Sequence, residues 1–230
     1  MPLHRKLLAE ALGTLLLLAT VVGSGIMGVA LSDGNDGIAL LANAAATAGI
    51  LYVLIVVLGP ISGAHFNPAV TLAMRLRGEL STAHAMAYVA VQIIAAIAAI
   101  AGVLLAHAMF EQPLLQPGTH VRTGGAQWLS EGVATIGLLL TILLGLRHRP
   151  NAIPALVASY IFAAYWFTAS TSFANPAVTV ARSLTQSFAG IRPEDIYGFV
   201  VAQLLGALAA SAVSSILMGR TSEVPPQASA

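Results

Sequence analysis

Long apolar stretches alternate with short polar segments along this chain of 230 residues. A helix needs about 20 consecutive apolar residues to cross a bilayer. Six stretches meet that length, at roughly residues 7–31, 38–58, 82–106, 127–146, 153–170 and 195–218. Short polar segments rich in charge, glycine or proline separate them. The pattern predicts an all-α membrane protein with six transmembrane helices.

The tripeptide Asn-Pro-Ala occurs twice, as Asn67-Pro68-Ala69 and as Asn175-Pro176-Ala177. Proline is favoured at the first position of a helix, because the N–H group that it lacks would have no partner there. Each copy therefore predicts a short helix that begins inside the bilayer, with an asparagine as its N-cap. Two such N-termini that meet at mid-membrane form a polar, partly positive constriction. We expect both asparagines to line a pore for neutral solutes.

The two halves of the chain repeat each other. Glu10 opens the first span and Glu131 opens the fourth, and Gln92 and Gln203 follow the two Asn-Pro-Ala motifs at similar distances. Since each repeat has three spans, the copies must lie upside down relative to each other, which places the shared site near the bilayer midplane. We predict one channel domain over residues 1–230, with repeats at about 7–106 and 127–218 and a loose tail at 219–230.

The two glutamates lie within apolar spans, where an ionisable side chain is costly and marks a functional position. The favoured interpretation is a brace, in which each carboxylate accepts backbone N–H groups of a re-entrant segment that cannot reach water. A proton relay through Glu10 and Glu131 is the alternative.

Only 8% of the residues are charged and 57% are hydrophobic, whereas soluble domains carry about a quarter charged residues. Lipid must therefore cover most of the surface. The chain has no cysteine, which excludes disulfides, thiolate metal sites and cysteine nucleophiles. We expect no cofactor, no metal and no nucleic-acid partner, and the sequence offers no catalytic constellation, so we expect no enzymatic activity.

The basic residues predict the orientation of the chain. Seven of the ten Lys and Arg residues fall on the side of the termini, and Arg122, Arg182 and Arg192 fall opposite. By the positive-inside rule, both termini lie in the cytoplasm and the protein spans the inner membrane. The first apolar run is too long for a signal peptide, so we interpret it as a retained span.

The segment from Ser62 to Thr71, with its first Asn-Pro-Ala, resembles the first signature of the aquaporin, or major intrinsic protein, family. The segment from Thr171 to Ala177 resembles the second, and the resemblance extends over nearly the whole chain. It implies six helices with two re-entrant half-helices, a separate pore in each protomer and a homotetramer. His65 would line the cytoplasmic half of the pore; a gating function for it is a weaker alternative.

The resemblance also implies a second constriction, which determines selectivity. Counting from the two motifs places Thr47, Ala163, Ser172 and Val178 there. No aromatic residue occupies these positions, and Val178 stands where family members usually carry arginine. We therefore expect a roomy, weakly polar filter. Arg182 lies one turn beyond Val178 on the same helix face; the favoured interpretation places it at the lipid interface, and the alternative turns it back into the pore.

The region from Asn175 to Ile191 is similar to a bacterial aquaglyceroporin-like subgroup associated with arsenic-resistance operons. This similarity implies passage of arsenite and methylated arsenicals, besides glycerol-like polyols and water. The alternatives are a mainly water-conducting channel, a pore that leaks ions, a coupled transporter and a structural membrane protein.

Overall fold

A computed structural model describes residues 1–97 and 99–219, and within these ranges all regular elements are helical. The first half contains α1 (Leu3–Leu31), α2 (Asp36–Ser62), the short α3 (Pro68–Leu76), α4 (Thr82–Ile97) and α5 (Ala99–Met109). The second half contains α6 (Gly125–His148), α7 (Ile153–Phe167), the short α8 (Pro176–Arg182) and α9 (Ile196–Met218). One-turn 3₁₀ helices, Pro150–Ala152 and Pro193–Asp195, precede α7 and α9.

The predicted all-helical membrane fold is confirmed, and its element boundaries differ in places. Within the described ranges, four segments are long and apolar enough to cross a membrane: Leu3–Leu31, Asp36–Ser62, Gly125–His148 and Pro193–Met218. The predicted third span corresponds to α4 and α5. The predicted fifth span, 153–170, ends early, at Phe167, because Thr168 adopts an extended backbone that cannot continue the helix. Residues 220–230 of the predicted tail lie outside the described ranges.

Both Asn-Pro-Ala motifs begin short helices. Asn67 and Asn175 are the N-cap residues of α3 and α8, and both have extended backbones with φ near −156° and −157°. The proline that follows occupies the first turn in each case. Each half of the chain thus consists of two long helices, a half-helix and a further spanning segment. This is an inverted repeat with two re-entrant half-helices.

The chain direction defines two faces of the bundle. The terminal face carries the start of α1, the end of α3, the α6–α7 connection and the end of α9. The opposite face carries the connections 32–35, 110–124 and 183–195. The half-helices run outward from the middle, α3 towards the terminal face and α8 towards the opposite face.

Small residues allow the long helices to pack closely. A Cβ at Gly206 of α9 would lie 2.9 Å from the carbonyl oxygen of Gly132 in α6, and one at Gly28 of α1 would lie 3.1 Å from the oxygen of Ala39 in α2. Such contacts are typical of helix packing in membranes, where van der Waals contact replaces the hydrophobic effect as the driving force. The first contact packs α9 against α6 in the second half, and the second packs α1 against α2 in the first half.

Candidate pore and its constriction

The two asparagines cross-link the repeats. Nδ2 of Asn67 donates to the carbonyl oxygen of Ala174 at 2.8 Å, and Nδ2 of Asn175 donates to the oxygen of Phe66 at 2.8 Å. Each Oδ1 accepts from its own half-helix: from the Ala69 N–H at 2.9 Å in the first, and from Ala177 at 3.0 Å in the second. The N-terminus of one half-helix is therefore bonded to the loop that leads into the other.

An asparagine amide has two N–H donors. The cross-link uses one donor of each asparagine, and both residues also line a cavity that runs between the half-helices. The second donor of each is thus available to a solute. The positive ends of α3 and α8 meet at the same level, which disfavours cations there.

Glu10 and Glu131 bind backbone groups of the two re-entrant loops without lining the cavity. Glu10 accepts the backbone N–H groups of His65 at 3.0 Å and Phe66 at 2.7 Å. Glu131 accepts those of Phe173 and Ala174, both at 2.9 Å. Both carboxylates are fully buried, and neither lines the cavity. Each one satisfies two N–H groups that have no access to water.

A glutamine completes each brace. Nε2 of Gln92 donates to Glu10 Oε2 at 2.9 Å and to Thr71 Oγ1 at 3.0 Å. Nε2 of Gln203 donates to Glu131 at 2.6 Å and to Thr179 Oγ1 at 2.8 Å. The carboxylate, the amide and a threonine of the half-helix thus form the same network twice. This geometry supports bracing over a proton relay.

The cavity extends to both sides of the asparagine pair and is lined by both apolar and polar side chains. Aliphatic side chains from five helices form the apolar part of the lining: Leu17, Val21, Leu51, Ile55, Val70, Leu138, Ile142, Val157 and Ile161. His65 lines the end towards the terminal face, where its Nδ1 lies 3.0 Å from Thr71 Oγ1 and its ring contacts Tyr88 edge-on at 5.2 Å. The amphipathic lining suits solutes that have both carbon and hydroxyl edges.

Three of the four predicted filter residues line the cavity on the other side of the asparagines: Thr47, Ser172 and Val178. Ser172 Oγ is buried and has no hydrogen-bond partner among the described residues. The fourth prediction, Ala163, is wrong: this residue is exposed on the outer surface of α7. Positions two apart on a helix point in nearly opposite directions, and it is Ile161 and Tyr165 that face the cavity.

Tyr165 takes the place that the count assigned to Ala163. Its side chain is buried in the last turn of α7, and its hydroxyl donates to Thr47 Oγ1 at 3.2 Å. The expectation that no aromatic residue lines the constriction is therefore also wrong. A phenol narrows this end of the cavity and adds a hydroxyl to the polar part of the lining.

Arg182 points inward, so its predicted position at the lipid interface is wrong. The side chain is 2% exposed and lines the cavity together with Val178. Its Nε donates to the carbonyl oxygen of Ala189, and its guanidinium stacks on the ring of Phe173 with Cζ 3.4 Å from the centroid. The last residue of α8 thus provides the positive charge that Val178 does not, and the constriction is more polar than the sequence suggested.

Comparisons with known proteins identify the family of this chain. A family model described as Major intrinsic protein matches residues 1–166. The chain is 58% identical over 216 residues to the aquaglyceroporin AqpS of Rhizobium meliloti (strain 1021), covering 94% of this chain and 91% of that protein. The chain belongs to the major intrinsic protein family.

More distant members of the family match over similar lengths. Aquaporin NIP6-1 of Arabidopsis thaliana is 30% identical over 223 residues, covering 94% of this chain and 69% of that protein. The X-ray structure of the aquaglyceroporin from Plasmodium falciparum superimposes with a TM-score of 0.73 at 14% identity, covering 94% of this chain and 97% of that one. This structural similarity concerns the fold alone, and it confirms the predicted aquaporin-like architecture.

Sequence reasoning missed two residues of this major intrinsic protein's constriction, Tyr165 and Phe173. A signal for the first was present, since Ile153, Val157, Ile161 and Tyr165 recur every four residues and form one face of α7. Phe173 gave no such signal, because it lies in the irregular loop before Asn175. Its contact with Arg182 depends on how that loop folds.

Proposed function

We propose that the protein is a passive channel for small neutral solutes, with water and glycerol-like polyols as its main class. The observation that carries this proposal is the cavity at the crossed asparagines, which combines hydrogen-bond donors with a largely aliphatic lining. A polyol presents hydroxyl groups along one edge and carbon along the other. The name of the similar aquaglyceroporin AqpS supports the same class.

Arsenite and methylated arsenicals remain part of the proposal. At neutral pH arsenite is the uncharged As(OH)3, whose three hydroxyl groups resemble those of glycerol. Thr47, Tyr165, Ser172 and Arg182 present hydroxyl and guanidinium groups to such a solute. The chain has no cysteine to trap trivalent arsenic.

The positive charge of Arg182 argues against a pore that leaks cations, and it adds to the two half-helix N-termini. A coupled transporter would need an ion site, and the buried glutamates have all their described partners in the braces. We therefore propose uncoupled flow down the solute gradient, without enzymatic activity.

Orientation and assembly are also proposals. The side chains of the three basic residues that fall opposite the termini all have partners there: Arg122 binds the carbonyls of Gly190 and Ser170, Arg192 binds Asp195, and Arg182 binds the carbonyl of Ala189. Their presence on that face is thus explained, and the excess on the terminal face supports cytoplasmic termini in the inner membrane. We propose a homotetramer with one pore in each protomer, to be tested by crosslinking and light scattering in detergent.

Stopped-flow light scattering on proteoliposomes tests the function, with water, glycerol and arsenite as solutes. Wild type should pass all three faster than protein-free vesicles. In Val178→Arg, a second guanidinium beside Arg182 should fill the constriction, so that glycerol and arsenite flow are lost and water flow remains. If wild type passes water alone, the polyol class is wrong. An ionic current through the protein in a planar bilayer would show that the pore does not exclude ions.

A further inference from the structure

The polar connection between α5 and α6 lies directly on the loop that follows α8. The Gly118 N–H donates to the oxygen of Ser183 at 2.8 Å, and the Arg192 N–H donates to the oxygen of His120 at 2.9 Å. A Cβ at Gly118 would overlap the carbonyl of Ile191, so only glycine permits this approach. The two segments come from different repeats and together cover the second half-helix on the opposite face.

Arg122, at the end of this contact, is buried although it belongs to a polar connection. Its Nε donates to the oxygen of Gly190 at 2.8 Å, and its Nη1 donates to that of Ser170 at 3.2 Å. Its own backbone N–H donates to Asp195 Oδ2 at 2.7 Å. Ser170 precedes the second Asn-Pro-Ala and Gly190 follows α8, so one guanidinium ties together both connections of this half-helix.

The two buried arginines flank one ring. Cζ of Arg122 lies 5.1 Å from the Phe173 centroid and Cζ of Arg182 lies 3.4 Å from it. Arg182 also donates through Nε to Ala189, the residue before the Gly190 that Arg122 binds. Both contacts that orient Arg182, the ring and the carbonyl, are therefore held in place by groups next to Arg122.

We propose that Arg122 is a positioning residue for Arg182 and thereby a determinant of selectivity. It fixes the ring on which the Arg182 guanidinium stacks and the loop to which Arg182 binds. Arg122 itself does not line the cavity, so it acts through Arg182 alone. This inference rests on the proposed solute channel.

A double-mutant cycle tests this coupling, because residues that act through one another are not additive. The variants are Arg122→Leu, Arg182→Leu and the double variant, and the measured quantity is the ratio of glycerol to water permeability in proteoliposomes. We expect each single variant to change the ratio in the same direction, by at least about twofold, the lower end of the coupling found between interacting residues. The double variant should match Arg182→Leu.

Arg192→Leu is the control for removing an arginine from this face, because the Arg192 side chain binds Asp195, through Nη2 at 2.8 Å, and not the loop carbonyls that Arg122 binds. It should leave the ratio unchanged. Arg122→Lys keeps the charge without the planar fork that reaches two carbonyls. If the geometry of the fork matters, this variant should behave as Arg122→Leu does, and it also serves where leucine prevents folding.

The permeability ratio separates positioning from mere loss of folded protein, since misfolding lowers water and glycerol flow together. An unchanged ratio in both Arg122→Leu and Arg122→Lys would overturn the inference while leaving the proposed function intact. An equal effect of Arg122→Leu with and without Arg182 would do the same. Wild-type vesicles that pass neither solute would overturn the proposed function, and this inference with it.

Discussion

The two re-entrant segments are alike in how they are held and different in what they present to the cavity. Glu10 and Glu131 accept two backbone N–H groups each, at corresponding positions. Two residues before the asparagine, however, the first copy has His65 and the second has Phe173. Both rings line the cavity, and that of Phe173 also stacks against the guanidinium of Arg182. The repeat thus keeps the scaffold symmetric while each end of the pore has its own chemistry.

The largest effect is expected where the copies agree. Glu131→Ala leaves two buried N–H groups unpaired, at about 1–3 kcal/mol each, so the folded state should lose about 2–6 kcal/mol. Glu10→Ala should cost a similar amount. Thermal unfolding in detergent, followed by size-exclusion chromatography, measures both. A large loss in one copy and none in the other would show that the braces are not equivalent.

The next largest effect is expected at the constriction on the opposite face, where the two halves of the cavity differ. Tyr165→Ala should widen the constriction and raise glycerol permeability relative to water by about tenfold, equivalent to a barrier lower by about 1.4 kcal/mol. Ala163→Trp is the matched control, because this residue faces outward from α7. Stopped-flow measurements on the two variants decide which of these two residues of α7 faces the cavity. Blocked flow in Ala163→Trp with no change in Tyr165→Ala would restore the residue count from the sequence.

A smaller effect is expected from giving the first copy the residue of the second. His65→Phe keeps an aromatic ring and removes both imidazole nitrogens, of which Nδ1 lies 3.0 Å from Thr71 Oγ1. Because the ring lines the cavity, a passing solute loses a polar partner. Water permeability should fall by about twofold, in line with the loss of a hydrogen bond worth about 0.5 kcal/mol. The glycerol-to-water ratio should stay constant. A shift in that ratio would place a second selectivity element on the terminal face.

The smallest effect is a dependence of stability on pH at the opposite face. Desolvation, and then the positive charges of Arg122 and Arg182, lower the pKa of His120 below its ordinary value, while Asp36 opposes this shift. The unfolded chain therefore binds a proton that the folded protein resists, and stability should fall slightly as pH drops from above 6.5 towards the lowered pKa.

Melting temperatures between pH 8 and pH 5 measure this dependence. His120→Gln should flatten it. An unaltered profile in His120→Gln would mean that this imidazole does not cause the pH dependence.

Much of the fold could be predicted from local rules. Asparagine is a favoured N-cap and proline a favoured first residue of a helix, so the starts of α3 and α8 follow from two short motifs. The paired Glu and Gln residues stand in regular helices, where equal spacing in sequence means equal depth in the membrane. The half-helix starts and the Glu–Gln pairs could therefore be predicted without knowing how the loops fold.

The constriction could be predicted only in part, because its register passes through irregular backbone. Counting back from Asn175 to α7 crosses residues 168–174, where the rise per residue is not that of a helix, and the count falls on Ala163 instead of Tyr165. Arg182 was misplaced for a similar reason. Its inward direction depends on the carbonyl of Ala189, seven residues further on in a loop.

The hydrogen bonds that cross between the two asparagine motifs can form only late in synthesis, because each joins residues from different halves of the chain. Their partners lie 107 and 109 residues apart in the chain, so the first re-entrant loop is inserted long before its partner exists. At a translation rate of about 5–20 residues per second, the Asn67 amide waits roughly 5–20 s for its acceptor. During that interval the nascent first half must shelter a polar loop within the bilayer, and the chain becomes a closed channel only near the end of translation.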